Sequence, residues 1–411
     1  MLRGRAIILT LVAVGLTAAI FLFFSFSNTV DIAMVMDEIK DILPVSKNTD
    51  IESQKPLTDP PKIIKALYAT NWSAGSEKKL GHLIQLIKDT ELNAIVVDIK
   101  DYSGYVGYNT ELELPIKYEA VELRIPKLNV LVKRLHDEGI YVIGRISVFQ
   151  DQRFALARPD LALISSSTQS VWRDHKGLTW MDTASKEVWD YNIAIAREIL
   201  NRGVDEVNFD YIRFASDGNL NDIKHPFWDE KTLKTNIVRD FFQYLREQLP
   251  DAKLSADLFG LVTINTDGLG IGQHLEYALP YFDAIAPMVY PSHYFKNFIG
   301  YENPAEYPYE VIKYSLDMAV NRIKKYELRI KQEIGTTTPM PKIAKLRPWL
   351  QDFDLGADYD AAKVLAQIQA VYDAGGGTSE LFEGTRPELV EGWMLWNPSN
   401  NYTREALKNE L

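Results

Sequence analysis

The chain has 411 residues, a formal net charge of −11, 46% hydrophobic residues and no cysteine. That composition supports a large globular core and excludes disulfides, thiolate metal sites and a cysteine nucleophile. The acidic balance argues against nucleic acid as a partner, because phosphates reward clustered basic side chains.

The run from Ala6 to Phe26 is uncharged and follows Arg3 and Arg5. At about 1.5 Å per residue it reaches roughly 30 Å as a helix, enough for a bilayer core. The arginines mark the cytoplasmic side, so the body of the protein is expected outside the cytoplasm on a membrane anchor. A cleaved signal peptide is the competing reading, since Ser25-Phe26-Ser27 offers small residues in a cleavage-like spacing and secretion would follow. A buried core helix fits poorly with apolarity all round. Residues 28–60 read as a linker, with one short helix near Asp31–Leu43 and an end at Pro60-Pro61. Residues 61–411 then form one domain.

Within that domain strand and helix patterns alternate. Strands are predicted over Lys65–Trp72, Ala94–Asp101, Tyr141–Phe149, Glu206–Phe214, Leu254–Gly260, Ala284–Pro291, Leu346–Phe353 and Gly392–Asn397. Helical periodicity falls over Lys78–Thr90, Pro126–Glu138, Lys186–Asn201, Thr232–Gln248, Gln273–Tyr281, Tyr309–Tyr326 and Ala361–Asp373, with Thr403–Leu411 as a short eighth helix. Eight such units predict an α/β fold of the (β/α)8 TIM-barrel type with long βα loops; an open α/β sheet is the alternative. The loops Asp151–Thr183 and Ser292–Pro308 are rich in aromatics and proline, and they follow strand C-termini, where barrel enzymes keep their chemistry.

The most informative stretch is GVDEVNFDYIRFASDG, Gly203 to Gly218. Val207 and Phe209 share one parity there, Asn208 and Asp210 the other, and a strand has no ordinary reason to bury that second set. The bland reading is an Asp that only ties down its loop. Other strands repeat the pattern: Asp98 and Lys100 on the second, Arg145 and Ser147 on the third, Ser255 and Asp257 on the fifth, Tyr290 at the end of the sixth. Asp98, Asp210 and Tyr290 come from even strands and are expected at one height, with Asp257 slightly offset. Paired carboxylates under aromatic loops suit glycoside hydrolysis, in which one carboxyl protonates the leaving oxygen and the other attacks or activates water. Asp210 with Asp257 is the favoured pair, supported by hydrogen bonds from Asn208 and Ser255, and Asp98 is the third candidate, positioning substrate or tuning a pKa through Lys100.

Lys100, Arg145, Asn208, Arg213, Tyr290, His293 and Trp396 are the candidate substrate-binding residues, with Trp172, Trp180, Tyr294, Trp349 and Trp393 as further flat faces for sugar rings. Core packing is the ordinary role of each aromatic taken alone. Arg213 either keeps a neighbouring carboxylate ionised or lies outside the barrel, paired with a helix or with Asp217. Asp182 reads first as a helix N-cap. The six histidines show neither HExxH nor a close pair, and no GxSxG elbow or GxxxxGK[ST] loop occurs, so no metal and no cofactor is expected.

The segments WMDTASKEVWDYNIAIAREILNRGVDEVNFDYIRFASDG, SADLFG, APMVYPSHY and GWMLWNPSN resemble the bacterial family of putative glycosyl hydrolase domains, over nearly all of Pro61–Leu411 and in order. The resemblance implies a sugar-active TIM barrel. The fourth strand is also distantly similar to chitinase-like barrels, whose acidic motif ends in a catalytic Glu; Asp205, Asn208 and Asp210 match in part, but Ile212 takes the Glu position. The expectation is a glycoside hydrolase acting on a cell-wall or extracellular polysaccharide, with the membrane as its second partner. A non-catalytic glycan-binding barrel at the cell surface is the alternative.

Overall fold

The computed structural model describes residues 50–335, 340–374 and 387–409. Eight parallel strands carry the fold: β1 (Ile64–Ala69), β2 (Ala94–Lys100), β3 (Tyr141–Ser147), β4 (Glu206–Asp210), β5 (Leu254–Phe259), β6 (Ala284–Met288), β7 (Trp349–Gln351) and β8 (Gly392–Trp396). They pair in chain order, and β1 pairs with both β2 and β8, so the ring closes. Closure leaves no free edge and decides for the barrel over the open sheet.

Seven helices follow the first seven strands: α1 (Glu77–Lys88), α2 (Leu128–Asp137), α3 (Lys186–Asn201), α4 (Lys234–Gln248), α5 (Leu275–Ala278), α6 (Pro308–Ile334) and α7 (Ala361–Asp373). Their apolar stripes pack on the outward strand residues, among them Leu67, Ile95, Val97, Val142, Val207, Phe209 and Leu258. The inward parity holds a second cluster of Ala66, Val96, Ile143, Ala286, Trp349 and Met394. With both faces buried, every polar side chain on the inward parity needs a partner. Glu206 finds Arg347 at 2.9 Å and the Ser255 hydroxyl at 2.5 Å.

Several boundaries depart from the expectation. β4 stops at Asp210 instead of Phe214, because Tyr211 turns into the left-handed region at φ +52°. β7 is short because Pro348 brings no N–H, so Lys345–Leu346 pairs with β6 as a separate piece. α5 is one turn: the Gln273 side chain leaves its own segment to accept from the backbone N–H of Phe259 at 2.9 Å. The expected eighth helix is only the 3₁₀ turn Arg404–Ala406, since Thr403 is tied to Asp352 by its N–H and hydroxyl. After β2 the chain adds an unforeseen excursion, in which Val106–Tyr108 pairs antiparallel with β2 and parallel with Val121–Ile125.

Residues 50–60 carry no helix or strand. They are nonetheless held against the strand N-termini: Asp50 accepts from the N–H of Asn129 at the start of α2, and Asp205 accepts from Leu57 N–H at 2.6 Å. Among the described residues no helix is long and apolar enough to cross a membrane. The Ala6–Phe26 segment and the helix expected near Asp31–Leu43 lie outside the described residues.

Candidate active site

At the C-terminal end of the barrel lies a cavity of about 430 Å³ bordered by Arg145, Asp210, Arg213, Asp257, Tyr290, His293, Trp349 and Trp396 among others. A larger groove of about 750 Å³ opens at the opposite end, under residues 56–62. Its two buried acidic groups are engaged structurally, Glu206 by Arg347 and Asp205 by backbone N–H groups. The strand C-termini are where catalytic groups collect in barrel enzymes.

Strand register sets the heights. Asp98 on β2 stands beside Arg145 on β3, Arg145 beside Asn208 on β4, and Asn208 beside Ser255 on β5. Asp210 and Asp257 each lie two residues further up, on the same parity, and so share the next layer. Asp257 is therefore level with Asp210 rather than offset, and Asp98 sits one layer below them.

Arg145 organises the acids. One terminal nitrogen donates to Asp98 Oδ1 at 2.5 Å, the other donates to Asp210 Oδ2, and its Nε stands 3.6 Å from Asp257 Oδ2. Its guanidinium also lies 5.0 Å from the Trp396 ring centre, in cation–π contact. Three acidic neighbours raise the pKa of Arg145 well above its ordinary value, against the opposing effect of burial, and keep its charge fixed.

The two upper carboxyls differ in their surroundings. Asp210 also accepts from the Tyr211 N–H at 2.6 Å, a contact made possible by the left-handed turn. That strained residue directly follows the candidate catalytic group, where such strain commonly collects. Asp257 is wholly buried, and its Oδ1 accepts from Trp349 Nε1 at 2.7 Å and Asn208 Nδ2 at 2.9 Å. No group among the described residues hydrogen-bonds its Oδ2. Burial first, and the charge of Asp210 second, push the Asp257 pKa up to about 8. One acid thus stands ready to be protonated at neutral pH beside a carboxylate held by an arginine.

Asp98 is filled by Arg145 and by the Tyr68 hydroxyl at 2.5 Å, and it does not border the cavity. Burial raises its pKa despite Arg145. It positions Arg145 and has no contact with Lys100. Lys100 is the residue the structure takes away from the site. The register slips between Asp98 and Lys100, so Lys100 turns out of the barrel to Asp151, 2.5 Å away with both side chains fully buried. Ser255 serves Glu206 and Asn208 and leaves both upper acids alone. Asp182 does not cap α3; its Oδ2 accepts from Phe227 N–H at 2.7 Å and secures that loop. Ile212 is completely buried beyond the turn, so no acid occupies the chitinase-like position.

Tyr290, His293 and Trp396 border the cavity as expected, and Trp396 stacks on Tyr68 with ring centres 3.8 Å apart. Trp349 is a buried donor to Asp257 rather than an open platform. Tyr68, Tyr211, Phe259 and Gly260 also belong to the site and were not singled out. Tyr68 had a legible signal, lying on the inward parity of a strand end like the others. Gly260 had none: a Cβ there would stand 2.5 Å from the Met288 carbonyl oxygen, a contact made only by the folded chain.

The family model described as "Putative glycosyl hydrolase domain" matches residues 66–402. The chain belongs to that family. No curated protein matches it. Among solved structures, a hypothetical protein from Ruminiclostridium thermocellum is 40% identical, covering 46% of this chain and 96% of its own, with a TM-score of 0.43. The PgaB (BpsB) glycoside hydrolase domain from Bordetella bronchiseptica is similar at a TM-score of 0.55 with 13% identity, over 85% of this chain and 100% of its own. A Flavobacterium johnsoniae chitobiase follows at 0.50 with 12% identity, over 84% and 47%. The last two likenesses are likenesses of fold.

Proposed function

We propose that the protein is a glycoside hydrolase that cleaves a cell-wall or extracellular polysaccharide, with Asp257 as general acid and Asp210 as nucleophile. The observation that carries this reading is the pair of acids sharing Arg145 at the cavity floor, one pushed up to about 8 and one ion-paired. Asp257 gives its proton to the glycosidic oxygen as the C1–O bond breaks, and Asp210 Oδ bonds to C1. The ionised Asp257 then takes a proton from water, whose oxygen attacks C1 and releases Asp210. Each step conserves charge on the pair, and Arg145 steadies whichever carboxylate is charged. Adjacent strands about 4.8 Å apart are compatible with the roughly 5–5.5 Å carboxyl separation of retaining enzymes. Tyr290, His293 and Trp396 offer the walls for sugar rings, and the uncharged run behind Arg3 and Arg5 supports an extracytoplasmic, membrane-tethered site of action.

The test is a glycan-hydrolysis screen of the full chain beside Asp210→Asn, with product anomers read by NMR. Turnover that the variant loses, with retained anomeric configuration, supports the proposal. Glycan binding by both proteins with no cleavage by either would make the barrel a binding module. Recovery from the culture medium of a free protein that begins near Asn28 would replace the anchor by secretion, and recovery from cytoplasm would remove both export readings.

A further inference from the structure

Six arginines are buried among the described residues: Arg124, Arg145, Arg202, Arg213, Arg322 and Arg347. Five of them hold a carboxylate: Asp101, Asp98 with Asp210, Glu198, Glu276 and Glu206 respectively. Arg213 is the exception. It makes no ion pair among the described residues, although Asp174, Asp210 and Asp217 lie near enough to favour its charge. A buried guanidinium without a partner is costly, because desolvation is not offset by a nearby anion.

Its setting is built rather than accidental. Arg213 is 7% exposed, with its guanidinium 4.6 Å from the Phe259 ring centre, 4.7 Å from Trp180 and 5.6 Å from Tyr211. One terminal nitrogen is anchored, donating to the Phe214 carbonyl and the Ser216 hydroxyl, each at 3.0 Å. Its remaining donors have no protein acceptor among the described residues, and the residue borders the same cavity as Asp210 and Asp257. His293 lies on that cavity too, as a neutral ring whose protonation is opposed first by burial and then by the Lys176 charge. Among the described residues the wall thus carries one uncommitted cation, Arg213, in a protein whose net charge is −11.

We propose that this cavity takes a glycan residue carrying an oxyanion, a hexuronate carboxylate or a sulfate ester, which Arg213 receives through its free edge. The three rings hold the guanidinium plane in place, so a planar carboxylate meets a fixed fork of donors. The acidic floor does not oppose such a ligand strongly, because Arg145 offsets Asp210 and Asp257 keeps its proton. The inference rests on the hydrolase reading only for the identity of the ligand as a sugar.

The test measures affinity in Asp257→Asn protein, where turnover is removed, by calorimetry with short hexuronate oligosaccharides, their carboxyl-reduced counterparts and sulfated neutral oligosaccharides. An acidic member is expected to bind at least about 10-fold tighter than its neutral match, as one charge-assisted contact supplies, with the preference shrinking as salt rises. Adding Arg213→Met should bring the ratio to about one, and Arg213→Lys should keep part of it. Preference for the sulfated arm alone would assign the oxyanion to a sulfate ester. Equal affinity for acidic and neutral glycans, no binding of either acidic class, or a preference that survives in folded Arg213→Met protein would overturn the proposal. Cleavage of neutral glycans by the parent protein, with no acidic preference in the binding measurements, sinks this inference and leaves the hydrolase reading standing. Acidic preference in the binding measurements, with no cleavage of any of these glycans by the parent protein, does the reverse.

Discussion

Asp257 joins chemistry to stability. As general acid it works only while protonated, so activity should fall as pH rises through about 8, where its proton is lost. Asp257→Asn should lower turnover by about 10²- to 10⁴-fold and erase that alkaline limb, which a pH–rate profile reads directly. The folded pKa lies above the ordinary value, so between the two the native state binds more protons than the unfolded chain, and stability declines as pH rises through that window. Asparagine removes the ionisation. Thermal melts should therefore show Asp257→Asn gaining on the parent from acid toward pH 9, and an unchanging gap would mean that Asp257 titrates normally. Asn208 and Trp349 cap one oxygen and leave the other, though buried, without a hydrogen bond among the described residues, so it is the oxygen that can carry the proton.

At the scale of elements, the site depends on close contacts between strand ends. Gly260, just past β5, touches the β6 carbonyl of Met288 and the Tyr294 hydroxyl where a Cβ would stand 2.5 and 2.8 Å away. Gly260→Ala should force the two strand ends apart and cost about 1–3 kcal/mol, seen as a lower denaturation midpoint together with a raised KM. The slip in β2 has the opposite use, sending a charge out of the site. Lys100→Met would strand Asp151, which also caps the short helix Gln152–Ala157 through Phe154 N–H. Breaking this fully buried pair should cost about 3–5 kcal/mol. Denaturant titration checks the value, and a loss below about 1 kcal/mol would mean the pair is solvated.

For the molecule as a whole, the N-terminal face of the barrel is gathered at one carboxylate. Asp205 accepts from Leu57 N–H, from Val142 N–H at 2.8 Å, and meets His136 Nε2 at 2.9 Å, so one side chain joins the 50–60 segment, β3 and α2. Asp205→Ala leaves these donors unpaired in a largely buried place and should cost about 2–4 kcal/mol. Hydrogen exchange should quicken at Leu57 and Val142 together; acceleration at only one would show that the segment is not coupled to the barrel there.

The alternation of eight apolar strands with amphipathic helices was legible in the chain, because both faces of a parallel barrel select residue type locally and repeat the selection eight times. Inward parity picked out Asp98, Arg145, Asn208, Asp210 and Asp257 for the same reason: a polar residue at a strand end stands out against the apolar parity beside it. Parity fails where the backbone slips, and one irregularity after Asp98 was enough to send Lys100 to Asp151. Sequence spacing also carries no record of which acid a given arginine meets, since Arg145 and its three carboxylates come from four strands. Only the strand register placed Asp210 level with Asp257, and only packing buried the second acid against Trp349 and left Arg213 alone, among the six buried arginines of the described residues, without a carboxylate. Those are distances between strands and loops far apart in sequence, and a linear chain specifies them only through the packing of the whole.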